Sequence, residues 1–227
     1  QSHNLESHNL QSHNPIFEID NQIVTNIIQQ NIARYDKTGE QHYDIISAFI
    51  KSIRGSDPDA SVYWLARMLA GGESLEFIGR RLLILASEDI GLANPNALLL
   101  AQSCFDSIRV IGNPESRIIL SQTVIYLATS PKSNSAYNAI NKAMAYVEQT
   151  GDLPVPLHLR NAPTKLMKDL NYGKDYQYSH LGENNFLDQE YLPDQIKGTA
   201  FYTPQKNARE EELKKFLHER WKGKYGY

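Results

Sequence analysis

Apolar residues recur along this chain at helical spacing, and the polar breaks between the apolar runs are short. In PIFEIDNQIVTNIIQQNIA, residues 15–33, Ile23, Ile27 and Ile28 share a stripe and Asp20 stands where it can cap the start. A polar connector, RYDKTGEQ, follows. HYDIISAFIKSIRG then sets Ile46, Phe49, Ile50 and Ile53 on one face and stops at Gly55, a residue suited to the left-handed conformation after a helix.

Four junctions further on share one grammar: Asp57-Pro58, Asn94-Pro95, Asn113-Pro114 and Ser130-Pro131. A short polar side chain that can accept from a free backbone N–H precedes a proline, whose missing N–H costs nothing in a first turn. The pattern predicts helices over Pro58 to Ala70, Ser74 to Ile90, Pro95 to Ile111, Pro114 to Thr129 and Pro131 to Gln149, punctuated by Gly71-Gly72, Gly91, Gly112 and Gly151. Connections this short force consecutive helices together, so residues 42–150 are predicted to form an all-α helical bundle. After Gly151 the chain becomes rich in Pro, Tyr, Asn and Gly. Residues 151–227 are therefore predicted to form an irregular Pro/Tyr-rich extension. It holds one short helix, from Ala162 to Leu170, and a terminal helix carrying Leu213, Phe216, Leu217 and Trp221 with Glu211 and Lys215 at i, i+4.

At 227 residues, 41% of them hydrophobic, the chain is long enough for a sizeable core. A net charge of −3 argues against a surface built mainly to hold duplex DNA, so any nucleic-acid contact must be local. The single cysteine, Cys104, lies in an apolar run and reads as a core residue of a reduced, cytoplasmic protein. No apolar run is long enough to span a bilayer, so no membrane partner is expected. Residues 1–14 repeat Ser-His-Asn every five positions and read as an appended or disordered leader, although His3, His8 and His13 could bind a metal.

The densest chemistry lies in RRLLILASEDIGLANP, residues 80–95. Glu88 and Asp89 fall in the last turn of a helix, where carboxylates oppose the helix dipole unless something compensates. Arg80 and Arg81 lie two turns back, too far for an i, i+4 pair, so a partner must come from another helix or subunit. No neighbouring histidine, nucleophile or glycine-rich loop completes an acid/base site, and the stretch reads as a polar clasp at a helix joint. The apolar helix before it, with Phe77, reads as buried in the bundle centre or at a subunit contact, which makes Phe77, Arg80, Arg81, Glu88 and Asp89 candidates for a clasp or oligomer interface. SPKSN, residues 130–134, lacks the glycines of a phosphate loop. His42, His158, His180 and His218 have no metal-ligand spacing, so no metal site is expected. Lys165, Lys168, Tyr172, Lys174 and Tyr176, with Tyr178, form the one basic and aromatic cluster able to carry phosphates and stack bases.

Residues 34–73 (RYDKTGEQHYDIISAFIKSIRGSDPDASVYWLARMLAGGE), FIGRRLLILASEDIGLANPNAL, VIYLATSPKSNSAYNAI, VPLHLRNAPTKLMKDLNYGKDY and QEYLPDQIKG together resemble the C-terminal part of one family. It is the bacterial replication-associated recombination protein A family, whose eukaryotic counterpart is the Werner helicase interacting protein, within the AAA-type ATPases related to clamp loaders. The resemblance implies that residues 15–41 are the end of a lid domain and its connector. It implies that residues 42–150 are a collar-like oligomerisation domain assembling a homotetramer, within a nucleoid-associated, DNA-dependent ATPase acting in replication, recombination and repair at stalled forks. Replication-fork DNA and single-strand-binding protein are the implied partners of the whole protein. No Walker A loop or acidic Walker B strand stands in these residues, so ATP and Mg belong with the family's N-terminal ATPase part. No cofactor and no enzymatic activity are expected of this stretch. The alternative reading is a DNA-binding module using residues 165–178.

Overall fold

The computed structural model describes residues 40–227. The helix expected within 15–33, its connector, and the expected leader over 1–14 lie outside the described residues. Tyr43–Tyr227 form one compact unit, and the described residues contain helices and turns but no strand.

Six helices run in order as α1 (Glu40–Arg54), α2 (Pro58–Ala70), α3 (Leu75–Leu85), α4 (Asn96–Ile111), α5 (Ser116–Thr129) and α6 (Ser135–Thr150). The core lies where α3 packs on α4 and α5, with α2 against α5. Ile78, Leu82 and Leu85 of α3 are buried there with Leu120, Val124 and Leu127 of α5. Phe49 and Ile53 of α1 and Leu65 and Met68 of α2 are buried as well. Helix α4 buries Ala97, Ala101, Cys104 and Ile108, a mostly small-sided stripe that lets its neighbours approach closely. At the crossing, a Cβ on Gly79 would stand 2.7 Å from Phe105 Cδ2 and 2.9 Å from Ile108 Cδ1, so this position admits glycine alone without repacking. The nearly all-round apolar character of α3 thus reflects a central position in the bundle.

The helix starts correct the proline grammar. Asp57 caps α2 as expected, its Oδ1 accepting from Ala60 N at 2.9 Å. The other three junctions do not cap. The Asn94 amide instead donates to Tyr126 Oη at 3.0 Å and Ser130 Oγ at 3.1 Å, so it ties helices together and α4 begins behind it. Ser130 donates to the Tyr126 carbonyl at 2.7 Å, and α6 starts only at Ser135 because residues 131–134 form a loop. Asn113 precedes a cis proline and α5 begins at Ser116. Nor is Gly55 the left-handed residue after α1: Ser56 takes that role at φ 62°.

Helix α3 also ends differently from expectation. Its last turn widens into a π turn over Ala86–Ile90, followed by a 3₁₀ turn at Gly91–Ala93. Beyond α6 the extension contains a short α7 (Lys165–Asp169), capped by Thr164, several 3₁₀ turns, and α8 (Ala208–Trp221), capped by Asn207. Side chains take over the work of regular structure: His158 Nε2 meets the Glu190 carbonyl at 2.7 Å, and Gln189 bonds both the N–H and the carbonyl of Gln177. An aromatic cluster closes the extension onto α8, with Phe186 edge-on to Trp221 at 5.0 Å and Tyr225 at 5.4 Å from the same indole.

Candidate functional site

Three loops meet at one polar joint: the π turn after α3, the SPKSNS loop before α6, and the entry to α8. The first contact answers the carboxylates of the π turn. Asp89, buried at the end of α3, accepts from Arg54 Nε at 2.5 Å and from Nη2 at 3.3 Å, and Nη2 also reaches Glu88 Oε1 at 3.4 Å. Arg54 sits in the last turn of α1, so its guanidinium offsets the exposed carbonyls of its own helix and the misplaced acids of another. The bond to Asp89 raises its already high pKa, although burial opposes this.

The second contact is backbone-close. Ser133 N donates to the Asp89 carbonyl at 2.8 Å, and a Cβ on Gly91 would stand 2.8 Å from the Ser133 carbonyl oxygen. Gly91 also has φ +46°, so the two loops touch only because that position has no side chain. Lys132, inside the SPKSNS loop, turns its ammonium onto the end of α5. Nζ donates to the carbonyls of Leu127 (3.1 Å), Ala128 (2.9 Å) and Ser130 (2.6 Å) and to Ser56 Oγ (3.0 Å), a lysine cap that also fastens the α1–α2 turn. Burial pushes the Lys132 pKa down, and the nearby Asp89 carboxylate opposes that shift.

The third contact is a buried carboxylate. Glu210, in the first turn of α8, accepts from Ser135 Oγ, from Ser133 Oγ at 2.7 Å and from Tyr202 Oη at 3.1 Å. Gln205 N at 3.3 Å and Asn207 Nδ2 at 2.7 Å complete its shell. Burial pushes the Glu210 carboxyl up, but the donated bonds, that of Ser135 foremost, outweigh it and hold the group below the usual carboxylate range. Burial, joined by the same carboxylate, drives the Tyr202 phenol far above its ordinary value.

The structure separates the clasp candidates into two ends of α3. Glu88 and Asp89 belong to the joint. Arg80 is exposed with its guanidinium 5.9 Å from the half-buried Phe77 ring, and Arg81 is half-buried, two turns before the acids. The partner that α3 required was Arg54, 35 residues upstream, and nothing in local spacing marks it. Glu210 did carry a signal: Asn207-x-x-Glu210 has the spacing of a capping box. Lys132 had none, since its role depends on where α5 ends.

The basic and aromatic cluster is only partly available. Lys165, Lys168 and Lys174 are exposed and Tyr176 is 47% exposed. Tyr172 is half-buried and engaged: Arg160 lies 5.0 Å from its ring centroid and donates to its hydroxyl at 3.1 Å. Lys174 lines a groove with Asp175, Asp188 and Glu190, an acidic lining that disfavours phosphate. Among the described residues no group of three or more His, Cys, Asp or Glu side chains is placed to hold a metal, and no helix is long and apolar enough to cross a membrane.

Comparison with known proteins places these features in a family. A family model described as the C terminal of the MgsA AAA+ ATPase matches residues 55–221, and one described as an AAA C-terminal domain matches residues 3–54. Replication-associated recombination protein A of Coxiella burnetii is 45% identical over 202 residues, covering 88% of this chain and 46% of that protein. The protein of the same name from Escherichia coli K12 is 41% identical over 193 residues, 85% of this chain and 43% of its own length. The ATPase WRNIP1 of Dictyostelium discoideum is 44% identical over 178 residues, 78% of this chain and 20% of that protein. The chain thus spans less than half the length of each of these relatives.

Proposed function

The chain belongs to the C-terminal family of MgsA-type AAA+ ATPases, and from that premise we propose that it is the assembly part of a replication-associated recombination ATPase, forming a homotetramer. The observation that carries the proposal is the outer face of α6. Tyr137, Ile140, Met144 and Val147 are spaced three and four apart along one stripe, and each is at least 46% exposed. The opposite face of α6 is already used: Ser135 is buried, Tyr146 stands edge-on to Phe201 at 5.6 Å, and Lys142 Nζ donates to the Ala200 carbonyl at 2.5 Å. The stripe therefore has the narrow 3–4 spacing of a helix seam, and Ile140, Met144 and Val147 along it are each more than half exposed. Its flanks at Ala136, Asn141, Ala145 and Glu148 carry one charge, so a second copy of the same seam meets no like-charge barrier.

In this reading nucleotide hydrolysis, with ATP and Mg, resides in the part of the relatives that this chain does not span. Fork DNA and single-strand-binding protein are partners of the whole, nucleoid-associated protein, and the chain described here sets the spacing of its motors. Phe77 and Arg81, both half-buried, flank the exposed Arg80 and form a second edge available to extend the contact.

Light scattering after size-exclusion chromatography, across a concentration series, tests the proposal. A mass of four chains that persists on dilution supports it. A monomer at every concentration overturns it for this chain.

A further inference from the structure

The extension contains a second groove that the assembly reading does not use. It has a volume of about 490 Å³ and is lined by His158, Leu159, Arg160, Asn161, Ala162, Gly173, Tyr176 and Tyr191, within the size range of sites for small ligands. Tyr176 and Tyr191 are 47% and 40% exposed. Arg160 is oriented in advance: Nε donates to the Val155 carbonyl at 2.7 Å and Nη1 to Tyr172 Oη at 3.1 Å, which leaves Nη2 without a hydrogen bond among the described residues. The walls are held apart by fixed contacts. Gly173 N donates to the Leu157 carbonyl at 2.8 Å, and Tyr191 Oη meets Ser179 Oγ at 3.2 Å and Gln189 Nε2 at 2.8 Å.

We propose that this groove holds a base of single-stranded nucleic acid against Tyr176 and Tyr191, with the adjoining phosphates carried by Arg160 and the exposed lysines of α7. Three features favour that occupant. Exposed aromatic residues on a rigid frame stack bases of any sequence, whereas an apolar peptide anchor would meet the polar groups of His158, Arg160 and Asn161. Residues 155–178 hold four basic and two acidic side chains in a chain whose net charge is −3, so the local surplus is opposite to the global one. The neighbouring groove, which shares His158, is lined by Asp175, Asp188 and Glu190 beside Lys174, and Glu190 is itself paired with Lys224 at 3.2 Å. The acidic surplus left by Asp175 and Asp188 disfavours phosphates on that side, which favours a strand path over α7. The proposal does not depend on how the chain self-associates.

The test titrates the 227-residue chain against a fluorescein-labelled 20-mer of oligo-dT, reading anisotropy at several salt concentrations. The unsubstituted chain is expected to bind with an affinity that falls as salt rises, by a slope of about 0.7 per phosphate contact. Tyr176→Ala should weaken binding about 5- to 100-fold at unchanged salt slope, because a stacked base is lost rather than a charge. Tyr176→Phe should bind as the unsubstituted chain does. Lys165→Glu with Lys168→Glu should reduce the slope by about one to two, while Asp188→Asn should not weaken binding. No salt-dependent binding by the unsubstituted chain, equal binding by Tyr176→Ala, or equally tight binding of a blunt duplex would each overturn the proposal. The solution mass of each variant, measured in parallel, separates this outcome from any failure of the assembly reading.

Discussion

The Ser133 hydroxyl donates to the Glu210 carboxylate at 2.7 Å across 77 residues of sequence. Its backbone N–H meanwhile donates to Asp89, so one serine links the end of α3 to the start of α8. The terminal helix, which exposes most of its length and has few apolar residues turned inward, is located by a polar contact more than by burial.

Glu210→Ala should therefore destabilise the chain by about 2–4 kcal/mol, since several buried donors lose their acceptor together. Urea denaturation checks this, and a lower m-value would indicate that α8 has detached before global unfolding. The pH dependence has a definite sign. The folded carboxyl lies below its unfolded value, so its contribution is full above the unfolded pKa of about 4.3 and is lost as pH falls through the folded value. The unsubstituted chain should lose stability more steeply than Glu210→Gln as pH is lowered from about 5 towards 3.

Arg54→Met should cost about 1–3 kcal/mol, because the buried Asp89 is left charged without its partner, although the half-exposed guanidinium tempers the loss. Arg54→Lys should recover little, since a single ammonium cannot reproduce the forked contact with both acids. The midpoint of denaturation at unchanged m-value reads both. A full rescue by lysine would mean that charge alone, without geometry, holds the joint.

At the α3–α4 crossing, Gly79→Ala should destabilise by about 1–3 kcal/mol through overpacking against Phe105 and Ile108. Phe105→Leu introduced with it should return part of the loss, and a double-variant thermal melt measures the coupling. Additive losses would place the strain elsewhere.

Ile140→Asp with Met144→Asp should reduce the solution mass without lowering the melting temperature of the separated chain by more than about 1 kcal/mol equivalent, as exposed positions seldom matter to folding. Phe77→Asp with Arg81→Glu is the comparison at the other edge. Dissociation by the second pair and not the first would move the interface from α6 to α3.

Much of the bundle was legible because its signals are local. Apolar stripes such as Ile46, Phe49 and Ile53, and glycines such as Gly112 and Gly151 at positive φ, mark helices and their ends within a few residues. The proline junctions misled for a physical reason: a polar side chain before proline can cap, but Asn94 and Ser130 found stronger uses across the helix interface. The joint itself was half visible. Glu88 and Asp89 announce an electrostatic debt at a helix end, whereas the identity of the creditor, Arg54, depends on which helix end the fold delivers there. The role of Lys132 is tertiary in the same sense, whereas Glu210 was half announced by its capping-box spacing from Asn207.

The pairing of Gln177 with Gln189 bears on the kinetics of the extension. Both polar groups of one backbone residue are met by a side-chain amide, as a rung of a ladder would meet them, yet no second rung follows. In a sheet or helix, neighbouring bonds open together and share protection against solvent. Here the ties belong to single side chains or to isolated short turns, as where Gly173 N reaches the Leu157 carbonyl, so amide exchange over residues 151–207 should form a mosaic, with slow sites beside fast ones. The segment keeps its shape through independent pins, and a single substitution can soften one corner while the rest of the surface stays in place.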